Sequence, residues 1–315
     1  MIALLLTLYA LFASTFILGQ EAVSLVPPIF FVGARMVLAG LLLLAYIKFY
    51  KKEPLTIKPI HYGWFAGIVI FHIYFSYVLE FVSYVYLSGS YVAFVYNLSP
   101  FITALFAYFF LTEVMSVKKW VGLCIGFLSS LPLVIIQTTT STPLTPSTGI
   151  WVMLAQVSLL LSVVSTCVGW IFLKKMTTEF KYSYVFVNGI AMLFGGLLSF
   201  ATSFFLESWP TFSFVTTHTS FITTLLLSVL IGNIIVYNLY GRLLQRYSTT
   251  ALSLFGCTTP LFAALIDWIW FGKAVGWLFI ITTIGTAIGL YIFYQEELKG
   301  ELVPSDLEKE YEEGR

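Results

Sequence analysis

Stretches of roughly eighteen or more residues without a charge alternate along this chain with short gaps bearing lysine or arginine, the pattern by which membrane-spanning helices are recognised. The apolar runs and their breakers predict ten helices, over 2–19, 29–49, 63–82, 88–111, 118–137, 149–173, 183–206, 219–240, 249–271 and 276–294. Each is close to the ~20 residues that one crossing of a bilayer requires. The connectors carry turn residues: Pro27-Pro28, Lys51-Lys52-Glu53-Pro54, the uncharged segment from Thr138 to Ser147 with Pro143 and Pro146, and Trp209-Pro210. Beyond Tyr294 the chain turns acidic and polar, with too little apolar surface to fold alone, so 295–315 is expected to be a largely disordered or weakly helical tail. The expected fold class is therefore all-α, a polytopic membrane protein of ten transmembrane helices.

Composition agrees: 59% of the residues are hydrophobic and 10% charged, against about 25% charged in a soluble domain. A net charge of +1 offers no basic stripe for phosphates, so no nucleic-acid partner is expected, and the partners implied are the lipid bilayer and a small-molecule substrate. Cys124, Cys167 and Cys257 lie in apolar runs without metal-ligand or redox spacing and are read as packing residues. No metal, cofactor or catalytic group is expected, and oligomeric state is left open. The run from Ile2 to Leu18 lacks the positive n-region of a secretory signal and is kept as a helix of the mature protein.

Basic residues in short loops stay on the cytoplasmic side. With a cytoplasmic N-terminus, the inner loops and helix ends hold Lys48, Lys51, Lys52, Lys58, Lys118, Lys119, Lys174, Lys175, Lys181, Arg242 and Arg246, while the outer connectors hold Lys273. That asymmetry sets the expected orientation, with both termini on the cytoplasmic side of a bacterial-type inner membrane. One missed or invented span would invert every later loop.

An internal duplication appears when Pro100 is set against Pro260. Ser99-Pro100-Phe101-Ile102-Thr103-Ala104-Leu105 then faces Thr259-Pro260-Leu261-Phe262-Ala263-Ala264-Leu265, and Glu113 faces Lys273. Five helices is an odd number, so a second copy enters the bilayer upside down. The expected organisation is two inverted five-helix repeats, 1–137 and 138–294, followed by the acidic cytoplasmic tail, an architecture used by alternating-access transporters.

These features, with Pro27-Pro28 followed by Arg35, the Asn97-Leu98-Ser99-Pro100 break, and Leu111-Thr112-Glu113 opening into Val121-Gly122, resemble the EamA-type branch of the drug/metabolite transporter superfamily over residues 1 to 294. The resemblance implies a ten-helix carrier. The second copy departs from the family pattern: Ile190 stands near the place of the arginine, and Lys273 where the family often has glutamate. The first repeat is therefore expected to hold more of the substrate chemistry. Within the family, Tyr9 to Phe16 and Asn188 to Leu193 are similar to a branch from obligate intracellular bacteria that exchanges S-adenosylmethionine for S-adenosylhomocysteine.

Charged side chains inside a span cost roughly 2.5–3.5 kcal/mol at a helix centre and so mark candidate sites. Arg35 is read as a clamp for a substrate carboxylate or phosphate, or else as a structural or snorkelling charge. Glu80 falls at a similar depth and is expected either to pair with Arg35 in the empty protein or to form a permanent bridge with it. His72, Ser76 and Glu80 recur every fourth residue along one helix face, either as a pathway wall or, favoured for His72, as hydrogen-bonding glue between helices. Asn97, Asn188, Asn233 and Tyr237 add neutral polar groups, and Tyr77, Tyr96 and Tyr237 are the tyrosines placed to contact a ligand rather than to sit in an interfacial belt. Pro100 and Pro260 interrupt their helices at matched positions and are read as hinges. Glu113 and Asp267 are read as interfacial groups of lower interest.

No nucleotide-binding GxxxxGK[ST] loop occurs, so the expected function is secondary transport of a small metabolite. The alternatives are an exporter of amino acids or aromatic drug-like compounds and an intramembrane lipid-modifying enzyme. The last lacks an HExxH or GxSxG motif to support it.

Overall fold

The computed structural model describes residues 2–52, 55–87, 89–111, 115–140, 150–208, 217–271 and 277–301, and every element in them is helical. In chain order these are α1 (Ile2–Leu25), α2 (Pro28–Ala45), α3 (Tyr62–Gly67), α4 (Ser76–Ser83), α5 (Gly89–Tyr96), α6 (Ser99–Leu111) and α7 (Val117–Thr140). Then follow α8 (Ile150–Thr178), α9 (Tyr184–Leu206), α10 (Thr217–Leu227), α11 (Tyr237–Leu244), α12 (Thr249–Leu254), α13 (Thr259–Phe271) and α14 (Trp277–Glu301). Six helical stretches among the described residues are long and apolar enough to cross a membrane: Ala3–Leu25, Pro28–Lys51, Pro59–Ser83, Ile150–Thr178, Tyr184–Leu206 and Thr219–Leu244. Ser99–Leu111 and Ile280–Phe293 are shorter apolar helices. Phe109, Phe205, Ile269 and Trp277 point outward, forming a surface suited to lipid rather than water.

Several expected spans differ in detail. Helix α1 runs on to Leu25, and α14 continues past Tyr294 to Glu301, into the start of the segment expected as a tail. The span expected over 88–111 is two helices, α5 and α6, and that over 249–271 is α12, a 3-10 turn (Phe255–Thr258) and α13. Pro100 explains the first break: it has no N–H for the carbonyl of Tyr96, so α5 ends there, and in the first turn of α6 the missing donor costs nothing. The spans around residues 70 and 232 each contain a π-helical segment, Ile68–Phe75 and Ser228–Val236. A π-turn inserts an extra residue and rotates the side chains beyond it, a device common at functional sites.

Close packing joins α2 to α9. A Cβ on Gly40 would lie 2.5 Å from the Leu193 backbone nitrogen, and one on Gly196 would lie 2.7 Å from that of Val37. Gly33 abuts Phe200 and Gly189 abuts Leu44 in the same way. Contact positions rise along one helix as they fall along the other, so the two run antiparallel. The start of α2 is also held from α9. The Glu207 carboxylate accepts the N–H groups of Ile29 (2.8 Å) and Phe30 (2.9 Å), and Ser203 Oγ donates to it at 2.7 Å. An anion at a helix N-terminus satisfies orphan donors and complements the helix dipole. Helices α7 and α14 form a second close pair, with Gly122 and Gly126 against Gly289.

Three basic segments meet at one end of the bundle. Tyr182 Oη accepts the backbone N–H of Lys58 at 3.0 Å, and His61 stacks on Phe180 at 4.2 Å. Lys174 Nζ donates to the Tyr247 carbonyl at 2.7 Å, next to Arg246. Glu113 and Lys273 lie outside the described residues, as do Pro143, Pro146, Trp209-Pro210, the chain beyond Glu301 and the side chains of Pro260 and Asp267.

Candidate functional site

A cavity of about 860 Å³, mouth included, opens among α1, α2, α4, α5, α6, α8, α11 and the α12–α13 turn. Seven of the residues singled out in the sequence line it: Arg35, Ser76, Tyr77, Glu80, Tyr96, Asn97 and Tyr237. The offset that aligns Pro100 with Pro260 also pairs Tyr77 with Tyr237, Glu80 with Tyr240, Ala93 with Ser253, Tyr96 with Gly256 and Ser99 with Thr259. Both members of every one of these pairs line the cavity. The two π-helical segments fall at the same offset, and Tyr77 and Tyr237 approach each other at 6.0 Å between ring centroids.

Arg35 and Glu80 are the one cation and the one anion of the lining among the described residues. They do not pair as the sequence led us to expect, for each is held by neutral groups. Arg35 Nε donates to Asn233 Oδ1 at 3.1 Å, and its guanidinium sits over the Tyr77 ring (4.7 Å) and the Phe81 ring (5.4 Å), geometry that stabilises a cation. Glu80 Oε2 accepts the Tyr96 hydroxyl at 2.7 Å and Oε1 accepts that of Tyr84 at 3.2 Å. Tyr96 Oη also lies 3.0 Å from Ser162 Oγ, whose hydroxyl reaches the Ser76 carbonyl at 2.7 Å, and Ser76 Oγ meets Thr166 Oγ1. Glu80 is thus anchored through α5 to α8.

The stripe of His72, Ser76 and Glu80 separates. Ser76 and Glu80 reach the cavity, whereas His72 lies within the π-helical segment, fully buried against Gly169, Trp170 and Tyr237. Neither of its ring nitrogens has a hydrogen-bond partner among the described residues, so it packs as a ring and does not act as the expected glue. Asn233 and Asn188 stand behind the wall. Asn233 holds Arg35 and also donates to Met36 Sδ at 2.9 Å, and Asn188 donates to the Tyr237 carbonyl and to Asn238 Oδ1, both at 3.3 Å. Asn97 is buried in the lining with its side-chain amide nitrogen unpartnered among the described residues. Pro100 and Pro260 stand beside the lining residues Ser99 and Thr259.

Sequence reasoning missed Tyr9, Phe12, Phe16 and Trp170, which wall the cavity as aromatic groups in aromatic-rich helices. Thr15 and Thr166 were missed too, because serine and threonine recur throughout the apolar runs and nothing in the sequence singles these two out. Of the cysteines, Cys167 lines the cavity, Cys257 is buried and Cys124 is exposed, and all three are free.

The model of the EamA-like transporter family matches residues 1–135 and 151–295. A Chlamydia muridarum protein described as an S-adenosylmethionine/S-adenosylhomocysteine transporter is 31% identical over 295 residues, covering 92% of this chain and 90% of that one. A protein of the same description from Chlamydia trachomatis serovar L2 is 30% identical, over 92% and 87%. A solved crystal structure superposes with a TM-score of 0.70 at 16% identity, over 93% of this chain and 97% of its own, a likeness of fold alone.

Proposed function

Since the chain belongs to the EamA-like transporter family, and is thus a multi-pass membrane transporter of a small molecule rather than an enzyme, we propose that it exchanges S-adenosylmethionine for S-adenosylhomocysteine across an inner membrane. The observation that carries this reading is a cavity built from repeat-matched residues whose two opposite charges, Arg35 and Glu80, face the same space without pairing. A guanidinium takes a carboxylate and a carboxylate takes an ammonium, so together they suit the α-amino-acid end that both compounds share. The Tyr237 ring offers a face to a sulfonium, Tyr77 carries the Arg35 guanidinium, and Ser76, Tyr96 and Asn97 bond neutral polar atoms. Asn233, Asn188 and His72 act behind these, Asn233 by aiming Arg35.

Ten spans follow when α3 and α4 are joined through their π-helical segment, α10 and α11 likewise, and α5 with α6 and α12 with α13 are taken as broken spans. They form two inverted five-helix repeats, 1–137 and 138–294, with both termini and the tail 295–315 cytoplasmic. The repeats rock about the cavity to expose it to each side in turn, and the helix restarts at Pro100 and Pro260 serve as the hinges. Energy comes from exchange.

Uptake of labelled S-adenosylmethionine into proteoliposomes loaded with unlabelled S-adenosylhomocysteine tests the reading. We expect uptake by the wild type only when the liposomes are loaded, and its loss in Arg35→Ala and Glu80→Ala with insertion retained. Wild-type uptake in both properly inserted variants would remove these residues from the site, and failure of the wild type to take up the compound would discard the substrate.

A further inference from the structure

Repeat-matched positions in the cavity differ in kind. The first repeat supplies Glu80 and Tyr96, whereas the second has Tyr240 and Gly256 at the corresponding places. The charge is therefore one-sided, and so is the free space, because the position filled by a phenol in one half is bare backbone in the other.

Gly256 is not a glycine that its surroundings demand. It lies in the 3-10 turn Phe255–Thr258 without a left-handed φ. A Cβ there would come no closer than 3.4 Å to a described neighbour, the Tyr9 ring. Gly40 and Gly196 differ in this respect, since a Cβ on either would strike backbone. A glycine in a helical turn costs stability relative to alanine, and what this one gains is room.

That room has aromatic walls. Trp170 and Tyr240 stack at 3.8 Å, Tyr9 and Phe12 stack at 5.6 Å, and Tyr240 meets Phe12 edge-on at 6.2 Å. Tyr9 is fixed by its hydroxyl, which donates to the Leu252 carbonyl at 2.5 Å in the helix just before the turn. In the same cavity, the amide nitrogen of buried Asn97, unpartnered among the described residues, calls for an acceptor from a ligand, since a buried donor left unpaired is costly.

The geometry points to a slot for a flat, nitrogen-containing ring of purine size beside the Phe255–Thr258 turn, walled by Tyr9, Phe12, Trp170 and Tyr240, with Gly256 setting its size and Asn97 donating to the ring or its sugar. The ligand then lies along the line joining the repeats, its charged end on Arg35 and Glu80. This assignment deepens the substrate reading above and rests on it for orientation, but the slot has a readout of its own.

Adenosine carries the ring and sugar without the amino-acid end. Its binding to the purified full-length protein in detergent, followed by ligand-induced thermal stabilisation, is expected in the wild type. In Gly256→Leu it is expected to weaken by about tenfold to a hundredfold, the range for misfit in a shaped pocket. Gly256→Ala, whose Cβ the site tolerates, is expected to fold as the wild type does and to weaken adenosine by a few-fold at most, so a failure of the leucine variant to fold leaves a second measure. No stabilisation of the wild type by adenosine, or equal stabilisation of the wild type and both folded variants, would overturn the slot even if S-adenosylmethionine exchange is observed. Adenosine binding that depends on Gly256 without any such exchange would keep the slot and reject the substrate reading.

Discussion

A buried charge is tolerated when other groups replace its water, and this cavity does that for Arg35 and Glu80 with neutral partners on separate helices. Neither charge is tied up in an ion pair with the other, so on the proposed reading a zwitterion would meet preorganised groups. The stronger phenol contact on Glu80 comes from Tyr96 at 2.7 Å and the weaker from Tyr84 at 3.2 Å. Tyr96→Phe deletes the closer donor while keeping the ring. A hydrogen bond to a charged group contributes about 1.5–3 kcal/mol to stability, so the thermal midpoint is expected to fall, and the KM for exchange to rise because the carboxylate is no longer aimed. Tyr84→Phe is expected to have the smaller effect, and a wild-type KM in Tyr96→Phe would mean that Glu80 is oriented without it. At this scale the sequence was legible where a residue contrasted with its surroundings. Arg35, Glu80 and Asn97 stand out in apolar runs, but Trp170, Tyr9 and Gly256 are ordinary residues of an aromatic-rich helical chain, and only their placement on the cavity distinguishes them. His72 contrasted as strongly and yet packs as a ring: like Ser76 it faces α8, but one turn further along, where Gly169, Trp170 and Tyr237 enclose it and shut it off from the cavity.

Helix positions could be read from the sequence because an apolar run ended by proline or charge has one low-energy solution in a bilayer. Internal irregularities could not. Nothing in Ile68–Phe75 or Ser228–Val236 announces a π-turn, and the restart at Ser99 was visible only through Pro100. Glycine spacing carried more than was read from it. The contacts of Gly40 with Leu193 and of Gly196 with Val37 are reciprocal, and so are those of Gly33 with Phe200 and of Gly189 with Leu44. Small residues let helices approach closely where hydrophobic burial gives no drive. Gly40→Ala and Gly196→Ala place a methyl against backbone, and each is expected to cost about 1–3 kcal/mol, seen as a lower thermal midpoint in detergent. Gly63→Ala, with nothing within 4 Å of its Cβ, is the matched control and is expected to be neutral. The Glu207 clamp belongs to the same helix pair. Glu207→Ala frees two N–H groups at the start of α2, and a loss of about 0.5–2 kcal/mol is expected, as for other helix caps.

For the whole molecule, the arrangement of charge and contact makes one geometric commitment. The segments around Lys58, Lys181 and Arg246 meet at a single end of the bundle through Tyr182, Phe180 and the bond from Lys174 to Tyr247. They come from different halves of the chain. Basic loops are retained on the cytoplasmic side, so this end should face inward, whereas Glu207, at the far end of α9 from Tyr184, should face outward. Single cysteines at the exposed positions Lys52 and Lys181, in a background with the three native cysteines replaced, test this with a membrane-impermeant maleimide applied to intact cells. Both are expected to be protected until the membrane is opened. A cysteine introduced at the exposed Ser208, next to Glu207, is expected to react in intact cells. Labelling of Lys52 and Lys181 from opposite sides would be incompatible with the contact between their loops and would remove the basis for two inverted halves. Labelling of both from outside would keep the fold and reverse its orientation.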